Sequence, residues 1–342
     1  MQNKVKHFYL LILSALALTS CSHHKKADVS DIHLEVHIAR FDHDFDQMRT
    51  QPMSQQAAQM QQKYGSFYSD YMEQVLEAGN TRDTAYFATL RKVLSSKPYQ
   101  DLKHETDSVY PNLDKQEAEL TDAFKRIKYY FPQQRLPKMY AYVSGFQAQT
   151  SIGNDYFAIG LDLFLGANSK FYPALINAYP HYIARRFTPE YITPRVIESL
   201  GRENMFPQSV QNKSLLSKMI YEGKILYFMD QVLPDTPDSL KIGYTTQQAD
   251  WCKNFESSIW GYFLEQNLLY ETDFEKIQKY FSEAPFTPGL GEKNESAPRL
   301  AVWTGWQIVR AYMDKHTDVT LPQLMANQDA QQILNDSHYH PK

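Results

Sequence analysis

The chain has 342 residues, with 35 Lys and Arg against 39 Asp and Glu, a formal charge of −4. No basic block interleaves with aromatics, which excludes a nucleic-acid surface as the leading reading. Two cysteines exclude a disulfide framework, while 24 Tyr and 19 Phe supply material for a sizeable core.

In chain order, Lys4 and Lys6 precede an apolar run from Phe8 to Leu18, and Leu18-Thr19-Ser20-Cys21 resembles a bacterial lipobox. The run is too short to span a bilayer and reads as a signal peptide over 1–20. Cleavage before Cys21 would place a lipid on that thiol and tether the chain to a membrane. Without Lys4 and Lys6 the mature chain carries 33 basic and 39 acidic residues, about −6. Residues 21–31 form a polar tether. Ser22-His23-His24-Lys25-Lys26 is neutral to basic, which favours a periplasm-facing lipoprotein of the cell envelope on either membrane. The remainder, 32–342, is expected as a single domain.

Residues 32–41 alternate apolar and polar and predict a strand, and Asp42 to Asp46 a turn. Helical spacing runs from 54 to 131 (Phe67, Tyr71, Val75; Leu120, Phe124, Ile127) until Pro132 and Pro137 end it. Residues 138–162 predict three short strands in a small antiparallel sheet. Helical patterns follow over 174–187, 191–205, 213–232, 247–268, 272–281 and 300–315, with a Pro/Gly-rich loop at 284–299. Thr188-Pro189 reads as an N-cap with proline at the first helical position. Trp303 and Trp306 share a helix face and read as core. Cys252, in an aromatic context, reads as a buried small apolar residue. The fold class is mostly α with a small antiparallel sheet, α+β.

No H-E-x-x-H, C-x-x-C, G-x-S-x-G or P-loop occurs, and no cofactor or metal motif is present. His181 stands alone in its segment. The stretches RFDHDFDQM (40–48), FAIGLDLFLG (157–166), YPHYIARRFTPEYI (179–192) and WTGWQIVRAYMD (303–314), with the lipobox, resemble the GldB family of gliding-motility lipoproteins of the Bacteroidota. The resemblance covers essentially the whole mature chain and implies a part in assembling or stabilising motility or secretion machinery.

The GldB family in turn resembles degenerate gluzincin-type metallopeptidases. The positions of such an enzyme's His, Glu and His are then Tyr179, Pro180 and Ile183, and its downstream Glu is Glu222, followed by Gly223. Tyr, Pro and Ile cannot jointly hold zinc, and water without a metal keeps its high pKa. The resemblance therefore implies a non-catalytic scaffold with a vestigial cleft that binds an envelope protein or peptide. Glu222 lies in an apolar stretch and needs a cationic partner, for which Arg185, Arg186 and Arg299 are candidates. The alternatives are a hydrolase with an unrecognised site and a carrier of a small apolar ligand. Asp83-Thr84-Ala85, Asp107-Ser108-Val109 and Asp238-Ser239-Leu240 resemble short O-glycosylation acceptors of that phylum.

Overall fold

The computed structural model describes residues 26–80, 85–211, 213–291 and 295–342. The signal peptide, Cys21, His23, His24 and the Asp83-Thr84 pair lie outside the described residues.

Strand β1 (Ile38–Arg40) leads into helices α1 (Phe41–Gln47), α2 (Met53–Tyr64) and α3 (Ser66–Asp70), the last continued by a π-helical turn, Tyr71–Val75. Helices α4 (Tyr86–Ser95), α5 (Lys97–Val109) and α6 (Asp114–Tyr130) follow. Strands β2 (Lys138–Tyr142), β3 (Thr150–Ile152) and β4 (Tyr156–Gly160) then complete the sheet. Its order is β1-β2-β4-β3. The fold is mostly helical α+β, but the sheet is mixed rather than antiparallel. Ile38 pairs with Met139 and Met139 with Phe157 in parallel register, and only β3 and β4 run antiparallel. The cause is connectivity. Helices α1 to α6 form the crossover that a parallel β1-β2 pair requires, and β3 sits outside β4 at the edge instead of between β2 and β4.

The first strand is also shorter than the alternation at 32–41 predicts. Part of its backbone is satisfied by helix side chains: Val36 N–H donates to Thr121 Oγ1 (2.9 Å) and Ile38 N–H to Glu117 Oε1 (2.8 Å). Residues 42–46, expected as a turn, lie within α1.

Alternate residues of each strand face opposite sides, so the sheet separates two cores. Tyr140, Tyr142 and Tyr156 meet an aromatic cluster of Phe41, Phe45, Tyr64, Phe67 and Tyr71. Ile38, Met139, Phe157 and Ile159 face the larger core built from the C-terminal helices.

That larger core is organised by α8 (Ile192–Ser199, continued by a π-helical stretch Leu200–Met205), α9 (Leu215–Val232) and α14 (Leu300–Lys315). Between the last two come α10 (Asp238–Ile242), α11 (Thr246–Asn254), α12 (Glu256–Glu265) and α13 (Phe274–Ile277); α15 (Leu321–Ala326) and α16 (Ala330–Ser337) close the chain. Helix α9 is buried nearly all round, as its continuous apolar composition requires. It crosses α14 at paired glycines. A Cβ on Gly223 would fall 2.2 Å from the Gly305 carbonyl oxygen, and one on Gly305 would fall 1.9 Å from that of Met219. Gly223, which the family resemblance ties to a peptidase motif, thus has a packing role here.

Trp303 and Trp306 are buried on α14, as their spacing predicts. Cys252 is buried, and burial pushes its thiol well up, so it is an inert core residue. From Lys26 the chain lies against the fold: Lys26 pairs with Asp235, and Arg126 Nη1 donates to the Ala27 carbonyl (3.2 Å). No described helix is long and apolar enough to cross a membrane.

Candidate functional site

The helix expected over 174–187 is not continuous. A 3-10 turn at Tyr172–Leu175 is followed by α7, only His181–Ala184. Pro180 is the reason: it holds extended backbone (ψ 156°) just before the helix and disfavours helical geometry at the residue before it. Tyr179 and Ile183 therefore do not share a helix. Tyr179 instead donates its hydroxyl proton to the Phe146 carbonyl (2.9 Å). His181 is exposed. Thr188 is extended and Pro189 opens the next turn as expected, but the Thr188 hydroxyl makes no capping bond.

The loop that Tyr179 touches is held from below by Asp162 of the FAIGLDLFLG stretch. This carboxylate is fully buried and accepts from Ser144 N–H (2.7 Å), Ser144 Oγ (2.9 Å) and Phe146 N–H (2.6 Å). These bonds fix Phe146 at φ 64°, a conformation that non-glycine residues seldom adopt. The conspicuous motif is thus a loop clamp.

Glu222 has a different partner from those expected. Arg202, on the π-helical stretch after α8, grips it with two bonds: Nη1 to Oε1 at 3.0 Å and Nη2 to Oε2 at 2.5 Å. Arg202 Nε also donates to Glu198 Oε1 (3.0 Å), and Arg195 Nη1 to Glu198 Oε2 (3.2 Å). Burial raises the Glu198 carboxyl, but Arg202, Arg195 and Arg299 outweigh it and hold the group at about 2.

The three arginines first considered for Glu222 nevertheless converge nearby. Arg186 and Arg299 each donate Nη1 to the same oxygen of Glu283, at 2.9 and 3.0 Å. Arg299 also reaches the Ile242 carbonyl (3.0 Å), and Arg185 reaches the Gly243 carbonyl (2.5 Å). Burial works against the Arg299 charge; Glu283, Glu198 and Glu222 restore it. Its backbone is left-handed (φ 55°), a strained state for a non-glycine residue. Gly243 (φ 79°) makes room for Arg186, whose Nη1 would lie 2.4 Å from a Cβ there.

These groups surround a cavity of about 210 Å³ lined by Ile183, Arg186, Arg195, Glu198, Glu283 and Arg299, among others. Donors exceed acceptors around it. Two arginines share one carboxylate oxygen, and the buried Arg195 Nε–H has no partner among the described residues. Such a wall suits an anion, and arginine forks match carboxylates in particular. A wider cavity of about 690 Å³ is lined by Asp230, Asp238, Lys241 and Arg310, which satisfy one another. Asp42, His43 and Asp107 lie close enough to hold an ion, but Arg40 and Lys103 already neutralise the two carboxylates. Of the acceptor-like tripeptides, Ser108 is exposed at the end of α5, while Asp238 is clasped by Arg310.

The structure defines a helical α+β protein whose cleft is walled by arginines, with no zinc-binding set among the cleft residues described. The chain belongs to a family: the model for the gliding motility protein GldB matches residues 22–341. It is thereby a gliding motility-associated lipoprotein of the cell envelope. No curated protein matches it, and no solved structure does.

Proposed function

We propose that this lipoprotein is a non-catalytic scaffold of the motility or secretion machinery that docks an acidic segment of another envelope protein in its arginine-walled cleft. A lipid on Cys21 would hold the cleft at one membrane face, on the periplasmic side, and raise the local concentration of that partner. The observation that carries the reading is the surplus of arginine donors at the cavity, where Arg186 and Arg299 share a single oxygen of Glu283 and Arg195 also lines the wall. On the degenerate-peptidase reading, Ile183 lines the cleft, and Glu222 lies outside it, held by Arg202, which also bonds the wall residue Glu198. A carboxylate so clasped is poorly placed to serve as a metal ligand or general base.

The test is cross-linking in intact cells followed by capture through a C-terminal tag, with wild type, Cys21→Ser and Arg195→Glu side by side. The expected result is a small reproducible set of envelope proteins from wild type, lost without the anchor and strongly reduced by the charge reversal. An identical set from all three proteins would reject both the anchor and the cleft.

A further inference from the structure

A third cavity, of about 300 Å³, lies apart from the arginine cleft, between α9, the segment after the π-helical stretch, and α15. Its walls include Phe131, Met205, Phe206, Tyr221 and Met325. Phe131 and Phe206 meet at 5.3 Å between ring centroids. Lys224 also lines it, and no Asp or Glu does. This lysine sits in the apolar run of α9 and is only 5% exposed. Its Nζ donates to the carbonyls of Asn327 (2.7 Å) and Met325 (3.3 Å), and among the described residues no carboxylate bonds it. An ammonium has three N–H groups, so one remains beyond these two bonds.

Capping the end of α15 explains the two carbonyl contacts. It does not explain why the charge is buried beside an aromatic cavity. A capping lysine can keep its head in water, whereas a buried charge without a counter-ion is costly. Burial alone pushes the Lys224 ammonium down, to about 8. An anion delivered from the cavity would supply the missing counter-charge, and the ring-lined walls would take an apolar body. The volume falls at the lower end of small-molecule pockets.

We infer that this cavity binds a small amphipathic monocarboxylate, with its carboxylate on Lys224 and its apolar chain between Phe131, Phe206 and Met325. The site is independent of the protein-docking cleft.

Octanoate, octan-1-ol and octylammonium are suitable probes, titrated calorimetrically against the purified protein. Octanoate is expected to bind about tenfold or more tighter than octanol, the gain of one charge-assisted hydrogen bond, and octylammonium weakest. Lys224→Met should erase the octanoate preference while octanol still binds. Phe206→Ala, which keeps the ammonium, should weaken octanoate and octanol in parallel, and it stands as the test if Lys224→Met does not fold. Equal binding of octanoate and octanol to wild type would overturn the assignment. So would a preference that survives Lys224→Met, or one that disappears in Arg195→Gln and so belongs to the cleft.

Discussion

Gly305→Ala is expected to destabilise the protein by about 3 kcal/mol or more, at the upper end of overpacking effects, because nothing at the site can yield cheaply. The added methyl would sit 1.9 Å from the Met219 carbonyl oxygen, and the neighbour is backbone rather than a mobile side chain end. Relief requires α9 and α14 to move apart, which opens the core around Trp303, Trp306 and Ile225. Gly223→Ala meets the same obstacle from the other helix, with the Gly305 carbonyl oxygen 2.2 Å away. Because the two residues share one contact, the double variant should cost less than the sum of the single ones. Gly261→Ala on α12 is the control. A Cβ there meets nothing within 4 Å, and alanine is the better helix former, so stability should hold or rise by up to about 1 kcal/mol. Urea unfolding of the four variants checks all of this.

The second large effect is at Arg202. Its guanidinium bridges Glu198 and Glu222, and every hydrogen bond made by the Glu222 carboxylate in the described structure comes from it. Arg202→Met preserves much of the volume but leaves two carboxylates facing each other without their shared counter-ion. Removing one member of a buried charge network costs about 3–5 kcal/mol. The pH dependence carries a further signature. In the wild type Arg202, Arg195 and Arg299 hold the Glu198 carboxyl down at about 2, well below the ordinary glutamate value near 4.5. A lowered carboxylate contributes stability at neutral pH that is lost as pH falls from about 4.5 toward about 2. Without Arg202 the burial of Glu198 and the neighbouring Glu222 push the other way, so protonation on acidification relieves the variant. The stability gap between wild type and Arg202→Met should therefore narrow between pH 7 and pH 4. A gap that widened on acidification would show that the bridge is not what holds these acids.

Much of the fold is legible in the residues. The long helices at 215–232 and 300–315 follow from sustained apolar content, and the three strands within 138–162 from alternation. The parallel pairing of Ile38 with Met139 is not, because register across about a hundred residues is fixed by tertiary packing and not by local pattern. The break near 180 is readable: Pro180 stands inside the stretch 174–187 whose apolar residues suggest one helix.

The cleft was legible in part. Of the three arginines that the sequence offers as partners for Glu222, Arg186 and Arg299 line the cavity and share Glu283, while Arg185 bonds the Gly243 carbonyl beside it; Glu222 takes Arg202 instead. Arg202 lies twenty positions before Glu222, and only the packing of α8 and its π-helical extension on α9 brings the two together. Lys224 did leave a signal. It is the one other charged residue between Met219 and Phe228, two positions past the glutamate that drew attention.

The central claim is that an acidic partner segment sits in the arginine-walled cleft. The most direct measurement places a photo-cross-linking amino acid at Gln149, on the cavity wall, and in a separate strain at Lys92, an exposed residue of α4. Illumination of intact cells should yield a discrete adduct with one envelope protein from position 149. The cross-linked peptide should be rich in Asp and Glu, and Arg195→Glu should abolish it. No adduct at 149, or the same adducts from 149 and 92, would contradict the account.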